Sequence, residues 1–341
     1  MTRRWLVLFA AVDIHKHLFQ AVILDPVSGE VEEARFPATR ERLRGWAEEL
    51  LDREVVVAVE ATTGWRWVVR ELQALGLDVR LADPGQAKAL QGRRRRAKTD
   101  RLDARWLALL LSRAMLPEAW IPPEDIQQLR DLTRLRKTLI EERTRWAQRL
   151  HAFLLHEGWP CSRSRLLTKA GRAWVRALQL GPHGGAQRER LLRRIESLDT
   201  EIADIDRELR VFARADSRCR ALEQLYGIGP ILAVILVAEI GDVLRFRRAA
   251  QVVRLAGLDP VVTEPADSRR RGHLAKAGSP HLRWALVEAA IHARRVNHLD
   301  YELHRQVAQR AGATPARLTA ARKIGRRAFH VLRELELANA A

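Results

Sequence analysis

The chain opens on apolar runs of strand length. Trp5–Val12 is continuous, Leu18–Leu24 is a second run, and Val31–Phe36 alternates apolar and polar positions. Between the last two, Asp25-Pro26-Val27-Ser28-Gly29-Glu30 carries the residue types of a hairpin turn, so the pattern predicts three antiparallel strands. From Thr39 to Leu51 the period changes: Leu43, Trp46, Ala47, Leu50 and Leu51 recur at helical spacing. Val55–Val59 is a short β-branched strand with Glu60 at its carboxyl end. Gly64 to Leu75 reads as a helix and Val79–Ala82 as a further strand.

From Ile126 the character is helical. Ile126, Leu129, Leu132, Leu135 and Leu139, then Trp146, Leu150 and Phe153, mark a long amphipathic helix that Gly158-Trp159-Pro160 ends. A loop region containing Gly181-Pro182-His183-Gly184-Gly185 follows. Leu191, Ile195, Leu198, Ile202, Ile205, Leu209 and Phe212 then form a heptad seam, which predicts a coiled-coil arm that pairs chains into a homo-oligomer, dimer or tetramer, with an ordinary bundle helix as the alternative. Tyr226-Gly227-Ile228-Gly229-Pro230 is a tight turn before a helix at Ile231–Ile240. It reads either as a helix-hairpin-helix-like turn that holds phosphate on exposed amides or as a simple interhelical turn. Gly257-Leu258-Asp259-Pro260 is another turn, Val261–Leu274 a polar loop, and Ser279-Pro280 an N-cap and N1 pair opening a helix at Pro280–Val296. Thr314-Pro315 repeats that signal for a closing basic helix to Leu337, with Leu318, Ile324, Ala328, Val331 and Leu332 inward. Three antiparallel strands followed by β-α-β units describe a ribonuclease-H-like α/β domain over 1–120. A helical coiled-coil arm over 121–216 and a mainly helical C-terminal domain over 217–341 complete the expected α/β plus α architecture.

Charge identifies the partner class. The formal net charge is +18 and most of the cations are arginine, whose planar fork grips phosphate and stacks on bases. Nucleic acid is therefore the expected partner. A membrane is excluded as a span, because no apolar run reaches about 20 residues. Arg3-Arg4 before Trp5–Val12 imitates a signal peptide, but Asp13, His15 and Lys16 end that run early. Cys161 and Cys219 fit neither a disulfide framework nor a zinc site and suit a reducing cytoplasm.

The candidate chemistry lies where cations meet acids. Arg93, Arg94, Arg95, Arg96 and Lys98 lead into Asp100 and Asp103, which share one helix face if the segment from Thr99 is helical. Phosphate-gripping cations beside metal-holding carboxylates are what a metal-dependent nucleic-acid enzyme requires. A helix start capped by Thr99, with acids favouring the dipole, is the plain alternative. Asp13 ends the first strand and Glu60 the fourth, and reactions in open α/β sheets gather at carboxyl ends of strands. His15, Lys16 and His273 read as surface or helper groups. Glu239 reads as a helix-end surface group or a hydrogen-bond partner.

With these residues in view, the chain resembles the insertion sequence 110 family transposases. Ala-Val-Asp13-Ile-His-Lys, Val-Glu60-Ala-Thr-Thr-Gly and Lys-Thr-Asp100-Arg-Leu-Asp103-Ala resemble the family's N-terminal domain. Leu-Tyr-Gly227-Ile-Gly229-Pro, Ala-Glu239-Ile-Gly, Ala-Gly257-Leu-Asp-Pro260 and His273-Leu-Ala-Lys276-Ala-Gly278-Ser-Pro-His-Leu-Arg283-Trp resemble its C-terminal domain, in the family's order. The resemblance implies a RuvC-like domain whose Asp-Glu-Asp-Asp set is Asp13, Glu60, Asp100 and Asp103. Four such carboxylates together need a hard cation, Mg²⁺ or Mn²⁺. It further implies a serine that attacks a DNA phosphate, a bridge RNA that selects target and donor DNA, and composite sites across an oligomer.

The chain departs from the family at that serine. The fifth residue after Pro260 is Pro265, which has no nucleophile. Ser268 stands three residues later beside Arg269, Arg270 and Arg271; Thr263 is the other hydroxyl in reach; and an impaired copy that only binds nucleic acid is the third reading. Arg269, Arg270, Arg271, Lys276 and Arg283 are the C-terminal candidates for nucleic-acid contact. A hydrolytic RuvC-like nuclease or junction resolvase, using the same acids with water, is the alternative activity.

Overall fold

The computed structural model describes residues 7–91, 100–263 and 270–340, with side chains at 100–101, 261–263 and 270–273 outside that description. The cation run 93–98, together with Ser268 and Arg269, lies outside the described residues. The chain divides into two compact units, Met1–Ile121 and Pro122–Ala341.

The first unit is the mixed α/β fold the pattern predicts. Strands β1 (Leu8–Ile14), β2 (Leu18–Leu24), β3 (Val31–Pro37), β4 (Val55–Glu60), β5 (Asp78–Ala82) and the two-residue β6 (Glu118–Ala119) form one sheet of order β3-β2-β1-β4-β5-β6. The hairpin strands β1, β2 and β3 are antiparallel, β4 and β5 run parallel to β1, and β6 returns antiparallel on β5. Alternation along each strand splits its side chains between two cores. On one face Val12, Val57, Val59 and Phe19 pack with Leu43, Trp46 and Ala47 of α1 (Arg40–Glu48) and Val68, Val69 and Leu72 of α2 (Trp65–Ala74). Thr39 caps α1 by accepting from the Arg42 amide at 3.3 Å. Buried Glu71 of α2 is clamped by Arg40 and Arg44 of α1, and the Arg44 hydrogen bond holds its carboxyl below the usual range. On the other face Ala11, Val22, Ala58 and Ala82 meet Ala87 of α3 (Pro84–Leu90) and Ala104, Leu107, Ala108 and Leu111 of α4 (Asp100–Ser112). Alanine on both sides lets α4 approach the strands closely.

The second unit is mostly helical. Helix α5 (Glu124–His156) and helix α8 (Pro182–Ala215) run antiparallel, because Arg136 pairs with Asp206 while Arg143, further along α5, pairs with the earlier Asp199. The heptad residues Ile195, Leu198, Ile202 and Leu209 are buried, and Leu139 packs on Leu198 and Ile202. Two short helices, α6 (Arg163–Leu166) and α7 (Lys169–Ala177), close the far end of this pair over Leu150, Leu154, Leu192 and Ile195. At the other end, α9 (Ser217–Glu223), α10 (Pro230–Ile240), α11 (Ala249–Leu255), α12 (Pro280–Ala289), α13 (Tyr301–Ala311) and α14 (Ala313–Ala340) gather around α10. Every residue of α10 from Ala233 to Ile240 is buried.

Four local expectations are corrected. Residues 182–185 are not loop but the first turn of α8, since Pro182 fits the N1 position and supplies no amide that needs a partner. Segment 261–274 is not all loop: β7 (Pro260–Thr263) pairs antiparallel with β8 (Arg270–Leu274), as the β-branched Val261, Val262 and Thr263 favour. The helix from Pro280 ends at Ala289, in a 3₁₀ turn over Ala290–Arg294, where Arg295 N–H caps the His292 carbonyl. The closing helix starts at Ala313 and buries Ala316, Ala320, Ala321 and Phe329 beside Ile324, Ala328 and Leu332, while Leu318 and Val331 are only partly buried. Among the described residues no helix is long and apolar enough to cross a membrane, and both cysteines are free thiols.

Ala108 is fully buried between α4 and the sheet. Replacing it with leucine overpacks that layer, and Ala108→Leu is expected to lower unfolding stability by about 1–3 kcal/mol in urea titration.

Candidate active site

Two of the four candidate acids stand side by side. The last registered pair between the parallel strands β1 and β4 is Val12↔Val59, so Asp13 and Glu60 follow at the carboxyl ends of two adjacent central strands. Strand alternation assigns both positions to the face of Ala11 and Ala58, the face that α4 covers. Asp13 is only 6% exposed, and the Nε2 of His15 lies 3.1 Å from its Oδ2. A carboxylate out of water requires such a partner, so His15 has a positioning contact that its sequence position beside a strand end did not reveal.

The other two acids belong to α4. Asp100 is the first residue of that helix and lies four positions before buried Ala104; Asp103 lies four before buried Leu107. Asp103 therefore continues the sheet-facing row of α4 toward the helix N-terminus. Asp103 Oδ1 accepts at 3.5 Å from Gln91 Nε2, at the end of α3. The Asp100 side chain lies outside the described residues. Among the described residues no three His, Cys, Asp or Glu side chains form a metal-holding cluster. The donors themselves are all hard carboxylate oxygens, the set that suits Mg²⁺ or Mn²⁺ rather than a softer metal.

In the second unit the sequence motifs converge on backbone-to-backbone contacts. Gly257 (φ +62) and Gly278 (φ +122) sit where a Cβ would meet the Ala277 carbonyl at 2.7 Å and the Leu255 carbonyl at 2.3 Å, respectively. Ser279 N–H donates to Leu255 O at 2.7 Å and Ala275 N–H to Asp259 O at 2.9 Å. Both flanks of the β7–β8 ladder are thereby fixed. Arg283 Nη1 donates to the carbonyls of Ala256 (3.0 Å) and Lys276 (3.4 Å), a structural task for a residue expected to touch nucleic acid. Lys276 is exposed and holds a left-handed backbone, φ 54. Thr263, Arg270, Arg271 and His273 lie in the ladder, with side chains outside the description.

Of the two sequence readings of Glu239, the hydrogen-bond partner holds and the helix-end surface group does not, while its ion pair with Arg134 was not foreseen. Glu239 is 2% exposed inside the apolar helix α10. Arg134 of α5 grips it with a two-pronged contact at 2.9 and 3.0 Å, and the Ser279 hydroxyl donates to its Oε2 at 2.8 Å. Ser279 also accepts from the Leu282 amide at 3.1 Å, so it caps α12 as expected. Arg130 adds donations to the carbonyls of Ala238 (2.7 Å) and Glu239 (2.9 Å). The signal was present: one acid in an otherwise apolar run of helix length must have a charged partner. Burial alone would raise its pKa, but Arg134 and Ser279 outweigh burial and hold the carboxyl below the ordinary glutamate range.

An α/β unit with acids at adjacent strand ends, followed by a mostly helical unit in a chain of formal charge +18, fits an enzyme that handles nucleic acid. The match to known proteins makes the class specific. Residues 10–158 match the IS110 DEDD model described as Transposase, and residues 219–308 match the model described as Transposase IS116/IS110/IS902 family. The "Putative transposase y4rJ" of Sinorhizobium fredii is 30% identical over 294 residues, 79% of this chain and 72% of that protein. The "Probable family 20 transposase" of Pseudomonas aeruginosa is 29% identical, over 69% of this chain and 70% of its own length. The "Transposase for insertion sequence element IS1328" of Yersinia enterocolitica is 27% identical over the same shares. The chain belongs to the IS110/IS116 family of transposases of mobile elements.

Breaking the buried pair should be costly. Glu239→Ala is expected to lose about 3 kcal/mol of unfolding stability, the low end for a broken buried ion pair because Arg134 keeps some contact with water. The lowered pKa also fixes a sign: the stabilisation is complete above the ordinary glutamate range and is lost as pH falls through the lowered value. Urea unfolding across an acidic pH series should show this acid loss in the parent and its reduction in Glu239→Gln.

Proposed function

We propose that the protein cuts and rejoins DNA strands for its mobile element, using a RuvC-like, ribonuclease-H-like first unit and a serine in the second. The observation that carries this reading is the side-by-side placement of Asp13 and Glu60 at parallel strand ends, on the face covered by the helix that carries Asp100 and Asp103. In this reading those four acids hold Mg²⁺ or Mn²⁺. When bound, the ion supplies positive charge to the phosphate oxygens of the scissile bond. The chain's own residues do the positioning: His15 orients Asp13, and the close packing of α4 on β1 and β4 fixes the direction of the acid row.

The hydroxyl of Ser268 is the proposed nucleophile, with Thr263 the rival. Its oxygen forms the new bond to phosphorus while the strand's bridging oxygen leaves, giving a phosphoseryl link that rejoining reverses on the exchanged strand. Arg269, Arg270 and Arg271 would stabilise the added charge on phosphorus. The segment that carries Ser268 connects β7 to β8, whose outer flanks are pinned by Gly257 and Gly278. In this reading a structured RNA would choose target and donor, and the cation run at 93–98 would contact its backbone or that of DNA. Chains would associate through the outward faces of the arm, where Leu135 and Val211 are exposed, so that acids of one subunit work with the serine of another.

Asp13→Asn and Glu60→Gln are each expected to reduce strand cleavage at least about a hundredfold, read as nicked supercoiled DNA in Mg²⁺. Ser268→Ala should abolish the covalent protein–DNA adduct seen on denaturing gels, while Thr263→Ala should not. Adducts that survive both changes would sink the serine assignment, and hydrolysed ends without any adduct would mean water is the nucleophile. His15→Ala should weaken Mn²⁺ binding about tenfold or more by calorimetry, as loss of a ligand's orienting partner does.

A further inference from the structure

The segment that joins α12 to α13 combines firm anchoring with unusual exposure. His298 is 5% exposed and Asp300 is buried, and Arg327 of α14 forks onto Asp300 with two contacts of 2.6 Å. His298 Nδ1 accepts from the Asp300 amide at 2.9 Å. Against these anchors, Val296 and Leu299 are 79% and 78% exposed. Two large apolar side chains left in water on a firmly held loop make this segment a candidate interaction surface.

The neighbours define what it could meet. Arg294 and Arg295 precede Val296 and are exposed, and residues 290–299 contain no acid. Tyr226 stands over His298, ring edge to face at 5.3 Å, and its hydroxyl accepts from Arg295 and donates to Asn297, each at 3.4 Å. Gly227 (φ +95) touches the last turn of α12, where a Cβ would lie 2.6 Å from the Ala289 carbonyl. The Tyr226–Gly229 turn and the loop are thus one surface, basic and apolar together.

We propose that this surface, residues 294–299 with Tyr226, docks on double-stranded DNA, with Arg294 and Arg295 on phosphates and Val296 and Leu299 pressed as a wedge into the minor groove. The inference rests on the reading of the chain as a DNA-handling enzyme and adds where and how duplex is held. A second copy of the chain is the poorer occupant, because two adjacent arginines with no acid between them would face another chain of formal charge +18. Folded RNA is poorer too: its minor groove is wide and shallow and gives an aliphatic wedge little to enter, whereas wedges in DNA unstack a base step and bend the duplex. The anchors at His298 and Asp300 hold the loop in shape before contact, so little ordering is lost on binding.

The test uses the full chain and a mixed-sequence duplex of about 25 base pairs, labelled at both ends to report binding and bending. Val296→Ser with Leu299→Ser should weaken duplex binding about tenfold and abolish the bend, with thermal melting and the affinity for a labelled RNA hairpin unchanged. Arg294→Ala with Arg295→Ala should also weaken duplex binding and lower the salt slope by about 2. Parent-like binding and bending by the serine pair would overturn the proposal. So would a serine pair that keeps duplex affinity but changes oligomeric state in light scattering, or loses the RNA hairpin instead, since the face would then serve another occupant. If the parent chain itself binds no duplex at low salt, the DNA-handling reading fails first and takes this inference with it.

Discussion

The second unit depends on one buried charge. Helix α10 is apolar throughout except for Glu239, and a carboxylate in that position must be paired or the helix cannot be buried. Arg134 reaches it from α5 and Ser279 from the start of α12, so the single acid fixes three elements relative to one another. Ser279 is bound twice, as acceptor for the Leu282 amide and as donor to Glu239, which leaves its hydroxyl committed and fixes the backbone just before α12. One residue earlier, Gly278 lies against the Leu255 carbonyl too closely for any side chain. The chain of constraint therefore runs from Glu239 through Ser279 and Gly278 to the end of α11 and the base of the β7–β8 ladder. The backbone at the base of that ladder is thereby held in place.

The first unit reaches the same end by another route. Small residues organise its acid face, and among the described residues Arg105 of α4 also pairs with Glu33 of β3. Ala11 and Ala58 on the strands and Ala104 and Ala108 on α4 remove side-chain bulk from the interface, so the helix sits close and its row of positions is fixed by contact with the sheet. Asp13 and Glu60 then need no separate support for their backbone, since strand pairing through Val12↔Val59 already sets them in register. His15 completes the arrangement by holding the Asp13 carboxylate at 3.1 Å.

Much of this is legible in the sequence. The strand and helix order of the first unit as far as β5 follows from runs and periods, whereas the short α3 and β6 do not, and the apolar runs that end at Val12 and Val59 put Asp13 and Glu60 at carboxyl ends of strands. Ser279 as an N-cap, and the stop of α5 before Gly158, are local chemistry and equally readable. What is not readable depends on distant partners. Glu239 looks like a helix-end group because its partner, Arg134, lies 105 positions earlier in the chain. The 3₁₀ turn after Ala289 breaks a helix whose apolar pattern continues, because the buried contacts of His298 and Asp300 with Tyr226 and Arg327 outweigh local periodicity. Strand β8 is hidden by its polar composition, Arg270-Arg271-Gly272-His273, even though β7 carries β-branched residues.

The heptad seam of α8 bears on assembly in a way that periodicity alone could not. A repeat of this kind states only that one helix must bury a stripe against another, not whose helix that is. Here Ile195, Leu198 and Ile202 are covered by α5 of the same chain, and the crossing pairs Arg136–Asp206 and Arg143–Asp199 flank that contact. The stripe is therefore already used. Any joining of chains along this arm has to draw on residues outside the seam, such as the exposed Leu135, Leu155 and Val211, which are too dispersed to make a continuous apolar stripe. An interface built from scattered apolar residues among many charges gains less from burial than a seam does, and would form most readily when a shared nucleic acid holds the two chains together.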